Sequence, residues 1–553
     1  MDRRTFLQQS VAGGLAAVAA GAGLPGGAEV AEPAPAPPAA PPDFELEETT
    51  VAELRDAMRS GRLTAQRIAE QYLERIEEVD RRGPALHSII ELNPDALDIA
   101  RQLDRERREG RVRGPLHGIP VLLKDNVDTG DRMRTSAGSL ALAEHPAPRD
   151  AFIAARLRAA GAVILGKTNL SEWANFRSTR STRSTSGWSG RGGQTRNPYA
   201  LDRNPCGSSS GSGVAVSANL AAVAVGTETD GSIVCPASAN GVVGIKPTLG
   251  LVSRTGIIPI AHSQDTAGPM TRTVSDAAFL LGALAGIDPA DQATAASRSR
   301  ARADYTVFLD PNGLRGARLG VLRKGSGVSD RVERVFNDSL EAMKRQGAVL
   351  VDPVEISTAG QFDASEFEVL LYEFKADLNA YLAGRGPNVP RTLKDLIDFN
   401  ERNREREMPY FGQELFLQAQ EKGPLTSREY RDALAKNHRL SRAEGIDAVL
   451  RRHRLDALVA PTGGTPWMTD LVNGDHYTGG TSSAAAVAGY PHVTVPAGFV
   501  HGLPVGVSFF GAAWSEPTLI RVAYAFEQAT KARRPPRFLP TADLGSDDPA
   551  RRG

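Results

Sequence analysis

The sequence predicts an α/β protein: one large domain built on a mixed, mostly parallel twisted sheet, with flanking helices and a helical insertion. Three observations carry this reading. Short aliphatic runs alternate with helix-period stretches over roughly four hundred residues, the pattern of strand–helix units. The composition is globular, with 41% hydrophobic and 24% charged residues in 553, and 55 Gly with 36 Pro provide many turns. One long stretch, residues 366–452, is charged and helix-rich and has almost no strand pattern. Lys plus Arg and Asp plus Glu are both 65, so the basic excess of a nucleic-acid binder is absent. Two cysteines exclude a disulfide-rich scaffold and a Cys-based zinc ribbon. No repeat recurs at a fixed period.

The first 42 residues read as an address. Arg3-Arg4-Thr5-Phe6-Leu7 precedes a mild apolar run at 10–24, and the Arg-Arg-x-Phe-Leu opening resembles a twin-arginine export signal. The run is too short and Gly-rich to span a bilayer, which takes about 20 apolar residues. Residues 32–42 form an Ala/Pro spacer. The mature chain is expected to begin between Ala28 and Asp43. It is expected to act outside the cytoplasm, periplasmic or secreted, without stable membrane insertion. The folded domain is expected over 43–545, and 546–553 reads as a disordered tail.

Thr50-Val51-Ala52-Glu53 is a capping-box pattern, and Leu54, Met58, Leu63, Ile68, Tyr72 and Ile76 recur near helical spacing. Residues 94–108 read as a charged helix with a solvated face. Strands are expected at 119–123, 163–165, 221–225, 242–245, 319–322, 349–351, 457–460, 493–496 and 505–510. The last two are separated by a turn-like stretch and so suggest an antiparallel pair. Helices are expected at 151–160, 214–220, 274–285 and 331–346. The insertion, about 360–452, carries helices at 367–382, 393–405 and 427–451. It either shapes a substrate entrance or forms plain outer helices.

Three segments hold candidate chemistry. Lys124 ends the apolar run Ile119-Pro120-Val121-Leu122-Leu123. Desolvation there would lower its pKa and free a neutral amine as a base, while the simpler alternative is a lysine snorkelling from a strand end. Cys206-Gly207-Ser208-Ser209-Ser210-Gly211 crowds hydroxyls and small residues at the entry to an apolar helix. A flexible linker would not run straight into Val214-Ala215-Val216. Gly226-Thr227-Glu228-Thr229-Asp230-Gly231-Ser232 follows an apolar strand and can expose consecutive N–H groups beside a hydroxyl, as acyl transfer requires. An ordinary polar turn fits that segment equally well.

Together these segments resemble the amidase signature family. Lys124 matches the lysine of the family's Gly-Ile-Pro-x-x-x-Lys-Asp strand, Gly207-Ser208-Ser209 its Gly-Ser-Ser loop, and Ser232 its Gly-Ser-Ile turn, followed by Gly244-Ile245-Lys246-Pro247. The resemblance runs from about residue 48 to 529. Ser210, Asp230 and Val234 depart from the common pattern, and residues 207–269, 173–177 and 186–198 look most like bacterial peptide amidases.

The resemblance implies a mechanism. Neutral Lys124 takes a proton from Ser208, which relays one from Ser232. Ser232 attacks the amide carbonyl, and the backbone N–H groups of Thr229, Asp230, Gly231 and Ser232 hold the oxyanion. The implied substrate is a peptide amide, hydrolysed at its C-terminal carboxamide, with a small-molecule aliphatic or aryl amide as the alternative. Neither an organic cofactor nor a metal enters the scheme, and nothing in the sequence specifies an oligomeric state. Thr462, Gly463, Gly464, Trp467 and Tyr477 fall where the family's C-terminal loops approach the site. Phe367, Tyr372 and Phe374 either line the entrance or, more simply, pack as core. If the two serines touch, Cys206 and Cys235 come close; folding before export favours two free buried thiols over a bridge.

Three rival readings follow other features. Gly207-Ser208-Ser209-Ser210-Gly211 also fits Gly-x-Ser-x-Gly, which would make Ser209 a nucleophile, but residues 196–205 are polar with two prolines where that motif needs a strand. An exported solute-binding protein would explain the address but not the Lys–Ser–Ser set. An amide-transferring subunit acting on glutamyl-tRNA would be cytoplasmic, against the export signal.

Overall fold

Aliphatic runs do become strands, and they join in one sheet. The computed structural model describes residues 43–178, 184–323 and 329–545. Residues 1–42, read above as an export signal and spacer, and 546–553, read as a tail, lie outside the described residues. Eleven strands share the main sheet: β1 (Ile89–Leu92), β2 (Pro120–Lys124), β3 (Val163–Thr168), β6 (Val223–Glu228), β7 (Val243–Lys246), β8 (Thr266–Thr271), β9 (Arg318–Leu322), β10 (Val349–Val354), β11 (Ala457–Pro461), β12 (His492–Val500) and β13 (Leu503–Phe510). A small hairpin pairs β4 (Trp188–Ser189) with β5 (Gly193–Gln194). The order across the main sheet is β1-β3-β2-β6-β8-β7-β12-β13-β11-β9-β10.

The sheet is mixed, but its parallel share is smaller than the alternation predicts. Parallel ladders join β3–β2, β2–β6, β11–β9 and β9–β10. Every ladder from β6 through β8, β7, β12 and β13 to β11 is antiparallel, as is β1–β3. The cause is β8. Its sequence, Thr-Ala-Gly-Pro-Met-Thr, has no aliphatic run, yet it inserts between β6 and β7 in reverse. Gly268 permits this, since a Cβ there would stand 2.0 Å from the Ile245 carbonyl oxygen.

All five residues of β2 and all six of β6 and β8 are buried. Strands covered on both faces lose the in–out alternation and read as continuous runs. Each fully buried Val or Leu contributes about 1.5–3 kcal/mol, and Val121, Leu122, Leu123, Val223 and Val225 supply that around the lysine strand.

The first helix, Val51–Arg59, carries the expected reciprocal cap between Thr50 and Glu53. Helix Ala96–Arg108 is less solvated than its charge suggests. Ala100, Leu103, Asp104 and Glu106 are buried. The Asp104 carboxylate accepts from the N–H groups of Ala65 and Gln66, at 2.7 and 3.0 Å, and so caps the neighbouring helix.

The insertion is helical: Asp363–Ala383, Leu393–Arg402, Glu414–Gln420 and Arg428–His438. Its inner face forms a second apolar cluster, in which Leu371, Phe374, Leu378, Leu415 and Phe416 meet Trp173, Phe176, Ile258 and Ile260. Among the described residues no helix is long and apolar enough to cross a membrane.

Candidate active site

β2 delivers Lys124 to the C-terminal edge of the parallel β3–β2–β6 block, where β6 delivers Thr227 and Glu228. Lys124 is fully buried. Its Nζ donates to Ser208 Oγ at 2.8 Å, to Thr227 Oγ1 at 2.9 Å and to the Thr227 carbonyl at 3.3 Å. Asn126 Nδ2 also donates to Thr227 Oγ1, at 2.9 Å. The lysine does not snorkel. Burial pushes its pKa down to about 7, against the buried carboxylates of Asp265 and Glu228, which favour the cation.

Ser208 lies in the loop before helix Ser210–Ser217, after a cis Gly207–Ser208 peptide. Its carbonyl accepts from Ser171 N–H at 3.1 Å. The small residues of this loop are a packing requirement: a Cβ on Gly211 would stand 2.3 Å from the Ser88 carbonyl oxygen. Ser209 is spent on structure. Its hydroxyl donates to the Thr227 carbonyl at 3.0 Å and accepts from Thr227 N–H at 3.2 Å. With no strand before it, the nucleophile-elbow reading fails.

Ser232 sits in the turn between β6 and helix Val234–Ala239. The Glu228 carboxylate accepts from the N–H groups of Ile233 and Val234 at 2.8 and 3.0 Å, anchoring the helix start. Gly231 takes φ 78, the left-handed region that glycine reaches without strain. Among the described residues, the N–H groups of Asp230, Gly231 and Ser232 donate to no protein acceptor. The Ser232 carbonyl accepts from Ser209 N–H at 3.2 Å. Cys206 and Cys235, read as free thiols, are joined in a disulfide. The loop carrying Cys206 and the first turn of helix Val234–Ala239, which carries Cys235, lie side by side, with Cα atoms 6.0 Å apart, within normal bridging distance.

Three cavities border this ground. One of about 380 Å³ reaches Asn126, Thr227, Thr229 and Asp265. One of about 470 Å³ reaches Asp230 beside Asn175, Ser186, Glu366, Phe367 and Leu415. A third, of about 540 Å³, is walled by Leu322, Val354, Phe362 and Phe510, with Ser482 and Ser483 on one side.

The family model for amidases matches residues 67–520. The chain belongs to the amidase signature family. The peptide amidase of Stenotrophomonas maltophilia superposes on this amidase with a TM-score of 0.86 at 55% identity, covering 90% of this chain and 100% of that one. An amidase family protein of Bacillus anthracis gives 0.81 at 39% identity, over 89% and 93% of the two chains. The probable amidase of Arabidopsis thaliana is 45% identical over 505 residues, 90% of this chain and 93% of its own. This chain is therefore a hydrolase of amide C–N bonds.

Several residues around the amidase site were not singled out from sequence. Asp265 accepts from Thr229 Oγ1 at 2.6 Å, and burial raises its carboxyl to about 6. Gln264 Nε2 bridges the Thr229 carbonyl (3.3 Å) and Glu366 (2.9 Å). Ser482 and Ser483 donate to the Asp230 carboxylate, the latter at 2.7 Å. Lys246, on β7, is buried like Lys124 and Lys167, and desolvation lowers it to about 8 beside Glu228. Isolated polar residues between elements carry no period to mark them; a buried run ending in a lysine is the one such signal, and it appears at Lys124, Lys167 and Lys246.

The C-terminal residues divide. Thr462 Oγ1 pairs with Thr494 Oγ1 at 2.6 Å. The Trp467 ring meets Tyr477 at 5.5 Å, and both pack in the cluster around Cys206 and Cys235. Phe367 lines the cavity at Asp230. Tyr372 and Phe374 pack instead against Tyr430 and Phe176, at 5.7 and 4.9 Å.

Among the described residues, His262, Glu373 and Asp377 could surround a cation. Their atoms are already engaged: His262 Nδ1 is 2.8 Å from Asp377 Oδ2, and Glu373 accepts from Tyr430 Oη at 2.7 Å and Ser263 N–H at 2.9 Å.

Proposed function

We propose that this amidase hydrolyses the C-terminal carboxamide of peptides, with Ser232 as nucleophile, Ser208 as relay and Lys124 as base. The observation that carries the catalytic part is the 2.8 Å contact with Ser208 Oγ of a desolvated amine whose pKa is lowered to about 7. The peptide part rests on the 55% identity to the Stenotrophomonas maltophilia enzyme.

A serine hydroxyl becomes a useful nucleophile only when its proton has an acceptor. Neutral Lys124 takes the Ser208 proton, Ser208 takes that of Ser232, and Ser232 Oγ bonds to the carbonyl carbon. The oxyanion is received by the N–H groups of Thr229, Asp230, Gly231 and Ser232; loss of one such donor costs about 3–4 kcal/mol. The proton returns through Ser208 to the nitrogen, the C–N bond breaks and ammonia leaves. Water then attacks the acyl-enzyme with the same base, releasing the carboxylic acid and restoring Ser232.

Mass spectrometry tests the substrate class. The enzyme is given a C-terminally amidated peptide, the free-acid peptide and a simple aliphatic amide, beside Ser232→Ala. A gain of about one mass unit, from NH2 to OH, on the amidated peptide alone supports the proposal. Turnover of the aliphatic amide alone would keep the mechanism and overturn the substrate.

A further inference from the structure

We infer that the Cys206–Cys235 disulfide is a positioning element that holds Ser208 in register with Ser232, so that turnover depends on its being oxidised. The inference rests on the catalytic roles proposed above.

The two serines arrive on different segments with different anchors. The Ser208 loop is tied to its own side: Ser171 N–H donates to the Ser208 carbonyl, Cys206 N–H to Asn204 Oδ1 at 2.8 Å, and Ser210 Oγ to the Cys206 carbonyl at 2.6 Å. The Ser232 turn is tied to β6 through Glu228. Hydrogen bonds also cross between the segments: Ser209 N–H to the Ser232 carbonyl at 3.2 Å, Asn240 Nδ2 to the Pro205 carbonyl at 2.9 Å, and the Ser209 hydroxyl to the carbonyl and from the N–H of Thr227 on β6, at 3.0 and 3.2 Å. The disulfide is the covalent crossing. It leaves the chain two residues before Ser208 and rejoins it three residues after Ser232.

The backbone at Cys206 supports the same conclusion. Its φ is +58, where a glycine would sit without strain and a side chain is disfavoured. A residue kept there despite that preference is explained by what its Sγ holds. Cys206 is buried in the cluster containing Trp467, whereas Cys235 is only half-buried, so exchange with a small dithiol begins at Cys235. The dithiol's thiolate bonds to Cys235 Sγ and displaces the Cys206 thiolate. Its second thiol then displaces Cys235, and two electrons pass from the dithiol to the protein.

A proton relay needs donor and acceptor within about 2.6–3.2 Å, and a displacement near 1 Å costs on the order of a hundredfold in rate. The test compares oxidised enzyme, enzyme reduced by dithiothreitol well below its melting temperature, and Cys206→Ser/Cys235→Ser. Three readouts are taken: kcat and KM for an amidated peptide, the labelling rate of Ser232 by a fluorophosphonate, and far-UV circular dichroism. Expected are a kcat and a labelling rate at least about tenfold lower, with KM within about twofold, an unchanged spectrum and recovery on reoxidation. Unchanged kcat and labelling in reduced, folded enzyme would overturn the inference. A double variant that fails to fold leaves the reduced wild type to decide. If the oxidised enzyme hydrolyses no amidated peptide, the substrate reading fails instead, and labelling still decides the role of the bridge.

Discussion

Lys124 Nζ lies 2.8 Å from Ser208 Oγ, and both residues are fully buried. The pair combines two effects that normally oppose each other. Desolvation lowers the lysine's pKa to about 7, and hydroxyl and carbonyl partners keep its nitrogen oriented without adding a counter-charge. Holding the amine neutral at pH 7 costs on the order of 4 kcal/mol relative to a solvated lysine, which the aliphatic packing of β2 and β6 must offset.

Activity should rise with pH through about 7 as Lys124 loses its proton. A kcat/KM profile would check this, and a flat profile from mildly acid to alkaline pH would contradict a lysine base. The same group makes folding stability rise with pH between about 7 and the unfolded value of 10.5, because there the unfolded chain binds the extra proton. Lys124→Met should therefore abolish turnover while raising the melting temperature at neutral pH.

Asp265 is the carboxylate that most favours the Lys124 cation, ahead of Glu228. Asp265→Asn should move the acid limb of the profile to lower pH, by a few tenths of a unit to about one. Circular dichroism would verify the fold. An unmoved limb would separate Asp265 from the base.

Ser232→Ala should lower kcat on the order of 10⁴-fold or more, with the protein folded. Gly231→Ala forces a side chain into the left-handed region with its Cβ 3.1 Å from Ser482 Oγ. The turn would shift, and kcat should fall about a hundredfold with KM nearly unchanged. Steady-state kinetics on both variants would show it.

Arg177 approaches Glu172 at 2.7 Å with both side chains buried, and lies 4.5 Å from the Phe411 ring. Burial raises the Glu172 carboxyl well above the usual range, Arg177 opposes this, and Glu407 adds to it. Arg177→Met would leave two facing carboxyls without their cation and should cost about 3–5 kcal/mol. In that variant Glu172 titrates higher still, so the native state binds more protons than the unfolded chain above pH 4.5. Urea melts should then show a loss that shrinks as the pH is lowered toward that value.

Much of this amidase was legible in its sequence, for physical reasons particular to each feature. β2, β3, β6 and β13 were visible because strands buried on both faces need continuous aliphatic runs. Thr50 and Glu53 were visible because capping is a local bond. Lys124 stood out because a cation at the end of a buried run costs free energy unless it has a task. The order of the strands, the reversed entry of β8, the meeting of Thr227 with Lys124 and the pairing of Cys206 with Cys235 belong to tertiary structure alone. Each depends on which distant segments become neighbours, and that is decided by packing the whole sheet rather than by any residue's local preference.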